Sequence, residues 1–317
     1  MPLKPPHLNY GDTIAILAPA SAPPDPKAVD RSVATLEALG FRAKLAPNVR
    51  RRWGFLAGTD RQRAGDLMKM FADPKVQAIL CLRGGYGTPR LLPLLDYAAI
   101  RSHPKIFIGY SDITALHCAF LAKANLVSFH VPMLNSDFIK DNLPDFTFQS
   151  FLKTLMKPSA AGSICQGYRG KTVDILRPGT ASGPLLGGNL SLLCALLGTP
   201  FQPFFKNKIL FFEDLDEVPY RFDRMLTHLL NAGLLQQVAG IAVGINKGCR
   251  DPKARKTKEY RQTIQDVLKE RLLPLKVPIV TGLPFGHIRL NATLPIGVRA
   301  TLDARKGDLV IMEAAVQ

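Results

Sequence analysis

The 317-residue chain predicts an α/β protein with a parallel sheet in its first half and a second α/β unit richer in β-structure. The first half alternates short apolar runs with helical patterns, which is typical of βαβ units around a sheet covered on both faces. This alternation stops before small and polar residues accumulate near 157–170. The length suffices for two cores, so we expect domains at 1–157 and 171–317 joined by a linker at 158–170.

The elements of the first half follow one another at short intervals. Residues 12–19, DTIAILAP, predict a buried strand, and residues 26–41 predict a helix that stops at Gly40. The same patterns recur further along. They predict strands at 42–47, 76–82 and 104–110, and helices at 59–74 and 111–124.

In the second half, apolar runs again precede helical or glycine-rich segments. A run of small and apolar residues at 183–198 is followed by a strand at 208–217 that ends in carboxylates. A helix at 220–233 comes next. Further strands are predicted at 238–246, at 277–287 and, with turns, within 292–313.

The formal net charge of +16 raises the question of nucleic-acid binding, and basic stretches occur at 49–53 and 253–261. The chain has no recognisable nucleic-acid module and no stripe of basic residues interleaved with aromatic ones. We therefore favour a solvated basic surface and predict no nucleic-acid partner. Such a surface also attracts an anionic small substrate.

The five cysteines are widely spaced and form no CxxC pair, which predicts reduced thiols and neither a disulfide framework nor a zinc site. Residues 13–22 imitate a signal peptide, but the apolar run is short and follows Asp12. No stretch approaches the roughly 20 apolar residues that span a bilayer. These patterns predict a cytoplasmic enzyme or binding protein without a membrane partner.

Ser111 stands at the junction of an apolar strand and a helix, in the sequence GYSD. Ligands bind beyond the carboxyl ends of parallel strands, and a tight strand-turn-helix elbow is a setting that exposes a nucleophilic serine. Alternatively, Ser111 only caps the helix, a common role worth about 1 kcal/mol. Ile113 also replaces the second glycine of the G-x-S-x-G elbow. Both roles stay open, because a nucleophile needs a base.

Two histidines that follow apolar strands, His130 and His287, are the candidates for that base. Gly282 and Gly286 indicate a loop whose backbone approaches another group closely, which favours His287. A carboxylate that orients the base would complete the group. Glu213 directly follows an apolar strand. Three neighbours offer the same carboxylate chemistry: Asp214, Asp216 and Glu217.

A glycine-rich stretch, CLRGGYGTPR, follows the strand predicted at 76–82. It matches neither the dinucleotide fingerprint nor the P-loop, since it lacks the ending of the latter. The alternative is an oxyanion hole, in which a backbone amide of Gly84 or Gly85 joins that of Asp112.

Five stretches, in order, carry a family resemblance: LRGGYGTPRLLPLLDY, GYSDITALH, GPLLGGNLSLL, FFEDLDEVPYRFDRML and LPFGHIRLNATLPIG. Together they resemble the LD-carboxypeptidases, the serine peptidase family that includes the murein tetrapeptide carboxypeptidase and the microcin C immunity peptidase. The resemblance covers nearly the whole chain. Each block is modest alone, but the five in sequence are highly specific.

The resemblance implies a cytoplasmic Ser-His-Glu hydrolase with a flavodoxin-like N-terminal domain and a smaller C-terminal domain, often a homodimer and needing no cofactor or metal. The implied substrate is a murein tetrapeptide, cut before its terminal D-alanine during cell-wall recycling. On the family's motifs the nucleophile falls on Ser111, the acid on Glu213 and the base on His287. The oxyanion hole falls on Gly85, with the Asp112 amide as its partner.

One departure from the family concerns the pocket. The family commonly carries a His-Gly-Pro stretch where this chain has FHVPML, so Val131 replaces a glycine. A larger side chain at this point narrows or reshapes a pocket, which bears on substrate preference more than on the chemistry.

A carboxypeptidase must also bind a free carboxylate, which arginine does well through paired hydrogen bonds. Arg83, Arg221, Arg224 and Arg289 lie near the motifs, and each equally suits a bracing salt bridge. Arg83 and Tyr86, which flank the two glycines, are the substrate-binding candidates.

Two other functions remain open on the sequence. One is a microcin-immunity-like hydrolase of peptidyl or aminoacyl nucleotides, with Trp53 or Phe55 as an aromatic clamp for adenine. The other is a basic protein without catalytic activity that binds an anionic ligand or nucleic acid.

Overall fold

A computed structural model of the chain describes residues 2–139, 143–170, 173–250 and 262–317. The strands of the first half are short, and all but the second are largely buried, as a sheet covered on both faces requires. They are β1 (Thr13–Leu17), β2 (Arg42–Leu45), β3 (Ala78–Cys81), β4 (Ile106–Gly109) and β5 (Ser128–His130). The helices are α1 (Ala28–Ala38), α2 (Asp60–Ala72), α3 (Tyr97–Ser102), α4 (Thr114–Ala119) and α5 (Asp145–Leu155).

The second half supplies the strands of a larger sheet and the helices that pack on it. The strands are β6 (Ala160–Ser163), β7 (Asp174–Arg177), β8 (Thr180–Asn189), β9 (Ile209–Glu213), β10 (Gly240–Ile245), β11 (Ile279–Gly286), β12 (Leu294–Ile296), β13 (Arg299–Asp303) and β14 (Asp308–Ala314). The helices are α6 (Leu190–Ala195), α7 (Pro219–Asn231) and α8 (Ile264–Leu272).

Local sequence explains where the predicted helices begin and end. Thr59 accepts a hydrogen bond from the N–H of Gln62, whose side chain accepts one from the N–H of Thr59, and this capping box starts α2. Gly40 has a φ of +86°, a left-handed conformation that glycine adopts without strain, just beyond the end of α1.

The first sheet has the strand order β2-β1-β3-β4-β5, all parallel, with β12 added antiparallel to β5. The order 2-1-3-4-5 is that of flavodoxin-like folds, which bind ligands at the carboxyl ends of their strands. The predicted parallel-sheet first half is confirmed, and its flavodoxin-like order matches the expectation from the family.

The second sheet runs β6-β14-β13-β8-β9-β10-β11-β7. Its centre, β8 to β11, is parallel, and antiparallel strands flank it on both sides. This mixed sheet confirms the predicted second unit richer in β-structure. The carboxyl ends of β4 and β9, in different sheets, carry the candidate site.

Two strands cross the boundaries that the sequence predicted. β6 lies inside the predicted linker at 158–170, yet it pairs with β14 in the second sheet. β12 lies in the predicted C-terminal domain, yet it pairs with β5 in the first. Buried apolar side chains of both sheets also form one continuous core. The limits at 157 and 171 are therefore not the limits of the two sheets.

All five cysteines are free, and burial raises the pKa of Cys118 to about 12, so this thiol stays protonated. Within the described ranges, every helix is too short or too polar to cross a bilayer.

Candidate active site

The turn after β4 holds Ser111 in a strained backbone conformation. β4 ends at Gly109, and a short helical turn, Ser111–Ile113, leads into α4. The φ of Ser111 is +63°, in the left-handed region that residues other than glycine seldom adopt. Strain of this kind costs about 1–3 kcal/mol and collects at functional sites, where the surrounding structure maintains it. The backbone thus has the form of an elbow that presents its serine.

Ser111 does not cap the helix. Neither the turn nor α4 has a side-chain cap hydrogen bond at its N-terminus, so the capping alternative is wrong. Ser111 instead lines a cavity of about 710 Å³ together with Arg83, Gly84, Gly85 and His287. The structure therefore brings together residues from three strand ends that are far apart in the sequence.

Ile113 explains the glycine at the end of β4. A Cβ built on Gly109 would lie 2.8 Å from two side-chain carbons of Ile113, which is closer than real Cβ contacts come. The apolar residue that breaks the G-x-S-x-G pattern therefore folds back over the strand, and this fit requires Gly109.

His117 fixes the same strand end from α4. Its Nε2–H donates to the Gly109 carbonyl at 2.8 Å, and the Ser128 hydroxyl donates to its Nδ1 at 2.9 Å. Burial lowers the pKa of His117 to about 4, although the hydrogen bond to Gly109 opposes this effect. The ring is thus neutral near pH 7 and has a structural role beside the elbow.

Glu213 and His287 form a buried hydrogen-bonded pair across β9 and β11. The His287 Nδ1–H donates to Glu213 Oε2 at 2.6 Å, and the Glu213 side chain has no exposed surface. Gly286, with a φ of +123°, makes the approach possible, because a Cβ there would lie 2.9 Å from the Ile245 carbonyl oxygen. The bond to Nδ1 leaves Nε2 as the nitrogen that can take up a proton.

The surroundings raise the pKa of His287 above its ordinary value. Burial acts to lower it, but the hydrogen bond and charge of Glu213, with the charges of Asp214 and Asp137, outweigh burial. The Tyr110 ring, directly before Ser111, packs edge-on against the imidazole at 4.9 Å between ring centroids. A basic imidazole is thus held beside the elbow.

The glycine-rich loop contacts the elbow directly. A Cβ on Gly84 would lie 3.0 Å from the Cβ of Ser111 and 3.4 Å from the amide nitrogen of Asp112. The N–H of Thr88 donates to the Asp112 carboxylate at 2.8 Å, and the Thr88 hydroxyl donates to the Asp112 carbonyl. Loop and elbow therefore pack against each other, and both line the cavity through Gly84, Gly85 and Ser111.

The four arginines differ in position. Arg83 and Arg289 line the cavity, whereas Arg221 and Arg224 lie close to the exposed ring of Tyr220. Arg83 donates through Nε to the Gly84 carbonyl at 3.2 Å and through Nη1 to the Ala22 carbonyl at 3.2 Å. Burial lowers its pKa.

Arg83 has no acidic partner among the residues that the structure describes. A half-buried guanidinium bonded only to carbonyls can still bind an anion in the cavity. Tyr86 follows the loop and is 51% exposed. Its ring contacts that of Phe55, with 5.6 Å between ring centroids.

A polar network that the sequence did not reveal joins the elbow to the acid. The N–H of Asn189 donates to the Thr114 hydroxyl at 2.9 Å, and its side-chain amide donates to Asp214 at 2.9 Å. Ser191 also donates to Asp214 through its N–H and hydroxyl. Asp214 adjoins Glu213, so α4 and β9 are linked. The GGN stretch at the end of β8 is the sequence signal for this network, but it does not indicate which residues Asn189 contacts.

His130, the other candidate base, lies apart from the cavity lining. It is fully buried, its ring packs against Tyr110 and Phe211, and neither ring nitrogen has a partner within the described part of the chain. Burial holds its pKa well below the ordinary value, so it stays neutral. Val131 is also buried, and its N–H donates to the Gly109 carbonyl at 3.2 Å.

Two further sequence features concern partners. In the basic stretch at 49–53, Arg50 pairs with Asp30 and Arg52 donates to the Pro23 carbonyl, whereas the stretch at 253–261 lies outside the described residues. The described ranges contain no group of three or more His, Cys, Asp or Glu side chains that could hold a metal ion.

Comparison with known proteins defines the class. Residues 14–131 match the model of the LD-carboxypeptidase N-terminal domain, and residues 182–302 match that of the C-terminal domain. The probable murein peptide carboxypeptidase of Bacillus subtilis is 41% identical over 313 residues, covering 99% of this chain and 95% of that protein. The fold, the elbow and these matches define a serine-type peptidase. The chain belongs to the LD-carboxypeptidase family.

Solved structures agree over the whole chain. The microcin C7 self-immunity protein MccF, known from Escherichia coli, superposes with a TM-score of 0.88 at 29% identity and covers 100% of both chains. A muramoyltetrapeptide carboxypeptidase from Oxalobacter formigenes has a TM-score of 0.82 at 33% identity, covering 95% of this chain and 99% of that one. The same fold thus occurs in an immunity protein and in a carboxypeptidase.

Proposed function

We propose that the protein is an L,D-carboxypeptidase that removes the terminal D-alanine of murein tetrapeptides by a Ser111-His287-Glu213 triad. The observation that carries this proposal is the buried Glu213–His287 hydrogen bond, whose imidazole opens onto the cavity that the strained Ser111 also lines. The names of the relatives from Bacillus subtilis and Oxalobacter formigenes support the substrate class.

In the first step, His287 Nε2 accepts the Ser111 proton while Oγ forms a bond to the amide carbon. The negative charge on the carbonyl oxygen is held by the N–H groups of Gly85 and Asp112, and each such donor contributes about 10²–10³-fold to turnover. His287 then gives the proton to the leaving nitrogen, the C–N bond breaks, and D-alanine departs. Glu213 keeps the imidazole in the required tautomer and stabilises its charged form.

In the second step, water attacks the ester carbon with His287 as the base. The bond to Ser111 Oγ breaks, and the proton returns to this oxygen as the tripeptide leaves. Arg83 pairs with the carboxylate of the D-residue, which gives a half-buried cation its counter-ion. Tyr86, exposed next to Gly85, is the second substrate-binding residue of this proposal. We further propose a cytoplasmic homodimer that acts in peptidoglycan recycling.

Release of D-alanine from L-Ala-γ-D-Glu-meso-diaminopimelate-D-Ala, measured by mass spectrometry, tests the proposal. Ser111→Ala should lower turnover by about 10⁶-fold, as loss of the nucleophile does in a well-studied triad. Ser182→Ala is the matched control, because Ser182 is exposed and bonds only the Thr301 hydroxyl. Equal release by Ser111→Ala and wild type would exclude the triad, and no release by wild type would exclude this substrate.

A second candidate is hydrolysis of an aminoacyl or peptidyl nucleotide. Trp53, Phe55 and Tyr86 are 55%, 65% and 51% exposed, and such rings suit a nucleobase. Microcin C7 self-immunity protein MccF has been solved with aspartyl sulfamoyl adenosine. Measuring both substrates with the same preparation separates the two functions. Phe55→Ala should weaken the binding of the nucleotide substrate and leave that of the murein peptide unchanged.

A further inference from the structure

Ser21 reaches the glycine-rich loop from the turn after β1, the neighbour of β3 in the first sheet. The N–H of Tyr86 donates to the Ser21 hydroxyl at 3.1 Å, and the N–H of Ser21 donates to the Gly84 carbonyl at 3.4 Å. Gly85 has a φ of +111°, and a Cβ there would lie 2.5 Å from Ser21 Oγ. Ser21 therefore packs directly on the loop backbone.

These contacts orient the peptide group between Gly84 and Gly85. Its carbonyl oxygen accepts from the N–H of Ser21 and from Arg83 Nε at 3.2 Å. The described peptide bonds are all trans, so the N–H of this group, which belongs to Gly85, points away from its carbonyl. The next amide, that of Tyr86, is already bonded to Ser21. The two hydrogen bonds of Ser21 thus leave the N–H of Gly85 unused, and Gly85 lines the cavity.

The opposite face of the loop meets the elbow. A Cβ on Gly84 would lie 3.2 Å from Ser111 Oγ and 3.4 Å from the Asp112 nitrogen, so Gly84 packs directly against the elbow. The loop is therefore bracketed by Ser21 on one side and by the elbow on the other. A shift of about 1 Å in such a geometry can cost 10²-fold in rate.

We propose that Ser21 is a positioning residue of the oxyanion hole, which makes Gly85 the donor of the loop and holds its N–H beside that of Asp112. This inference rests on the proposed function, because it needs Ser111 to attack a carbonyl. The contacts of Ser21 are with the backbone of the loop, so it acts through Gly85.

Ser21→Ala removes the hydroxyl and keeps the Cβ. We expect kcat for D-alanine release to fall by about 10- to 100-fold, less than the loss of a whole donor, with KM within about twofold of wild type. Ser182→Ala again serves as the control and should change neither constant. Rates are expressed per folded molecule from near-ultraviolet circular dichroism, so partial unfolding cannot imitate the effect.

An arylboronic acid gives a second readout that does not depend on the peptide. Ser111 Oγ forms a bond to boron as its proton passes to His287, and an oxygen of the tetrahedral adduct takes the place of the oxyanion. Ser21→Ala should weaken the binding of the boronic acid by the same factor by which it lowers kcat, and it should leave the Kd of the product tripeptide unchanged. A merely structural role would weaken both ligands.

The outcomes separate the two proposals. Wild-type kcat and boronate affinity in Ser21→Ala would overturn the inference, and so would a loss confined to KM. If wild type releases no D-alanine but its boronate affinity falls in Ser21→Ala, the proposed substrate fails and the role of Ser21 stands. If boronic acid binds wild type and Ser111→Ala equally, the nucleophile and the role of Ser21 both fail.

Discussion

The two sheets contribute different kinds of chemical group to the two sides of the cavity. The first sheet contributes backbone groups, namely those of Ser111, in its left-handed conformation, and of the Gly84–Gly85 loop. Close contacts with neighbouring atoms hold both segments in place. The second sheet supplies charge, namely Glu213 and His287, which are paired by one short hydrogen bond in a buried setting.

This difference predicts how each side fails. A backbone site tolerates no added atom, because its donors are fixed by close packing. A buried charged pair tolerates added volume better than loss of charge, because the charge sets the tautomer and the pKa of the base. The comparison is therefore tested by adding a methyl group on the backbone side and by removing a charge, without a change of shape, on the charged side.

Glu213→Gln is expected to give the largest loss after removal of the nucleophile. It keeps the shape of the side chain and removes its charge, and the equivalent change in a known triad lowers kcat about 10⁴-fold. Glu270→Gln, on the exposed surface of α8, is the control of matched chemistry and should leave kcat unchanged. A loss of less than tenfold in steady-state D-alanine release would contradict the role of Glu213.

Gly84→Ala tests the backbone side with one added methyl group. Its Cβ would crowd Ser111 Oγ at 3.2 Å, so we expect kcat to fall about 10²-fold with the fold retained. Gly65→Ala, in an exposed position of α2 with no atom within 4 Å, is the matched control. It should keep full activity and stabilise the protein by up to about 1 kcal/mol. Similar activity of both variants would contradict a tight fit at Gly84.

Much of this arrangement follows from local sequence. Buried apolar runs place β1, β3 and β4, and the residues that follow such runs include Ser111, Glu213 and His287. Gly282 and Gly286 favoured His287 over His130 on the sequence, and the packing of the two sheets places His287 in the cavity lining and buries His130 outside it.

The pairing of the edge strands of the two sheets was less predictable. β6 and β12 are three or four residues long, and their pairing partners lie far away in the sequence. Periodicity cannot identify such partners. The hydrogen bonds of Ser21 and Asn189 were unpredictable for the same reason, because each joins segments that are far apart in the sequence and meet only in the folded chain.

The pH dependence tests the charged side alone. The pKa of His287 is raised, so the charged form persists above the ordinary value of about 6.5 and the neutral base appears only at higher pH. We expect the acid limb of kcat/KM to have its midpoint above pH 6.5. The stabilisation from a raised pKa is full below the unfolded value and is lost as pH rises through the folded value. Activity should therefore appear as this stabilisation disappears.

NMR titration of His287 in Ser111→Ala measures this midpoint directly. Adding Glu213→Gln removes the charge of the acid and leaves burial, which acts in the opposite direction, so the midpoint should move downward. A midpoint at or below 6.5 with Glu213 present would mean that burial outweighs the pair.

Thr114→Val tests the contact between the two sides and should have the smallest effect. Val has nearly the shape of Thr but leaves the buried N–H of Asn189 without its acceptor, which costs about 1–3 kcal/mol. We expect a Tm several degrees lower and a few-fold lower kcat, because Asn189 also holds Asp214 beside the acid. Thr35→Val, which removes a surface bond to the Arg31 carbonyl, is the control. A lower Tm with unchanged kcat would show that the network joins the halves without aligning Glu213 and Ser111, so the backbone side and the charged side would then be independent.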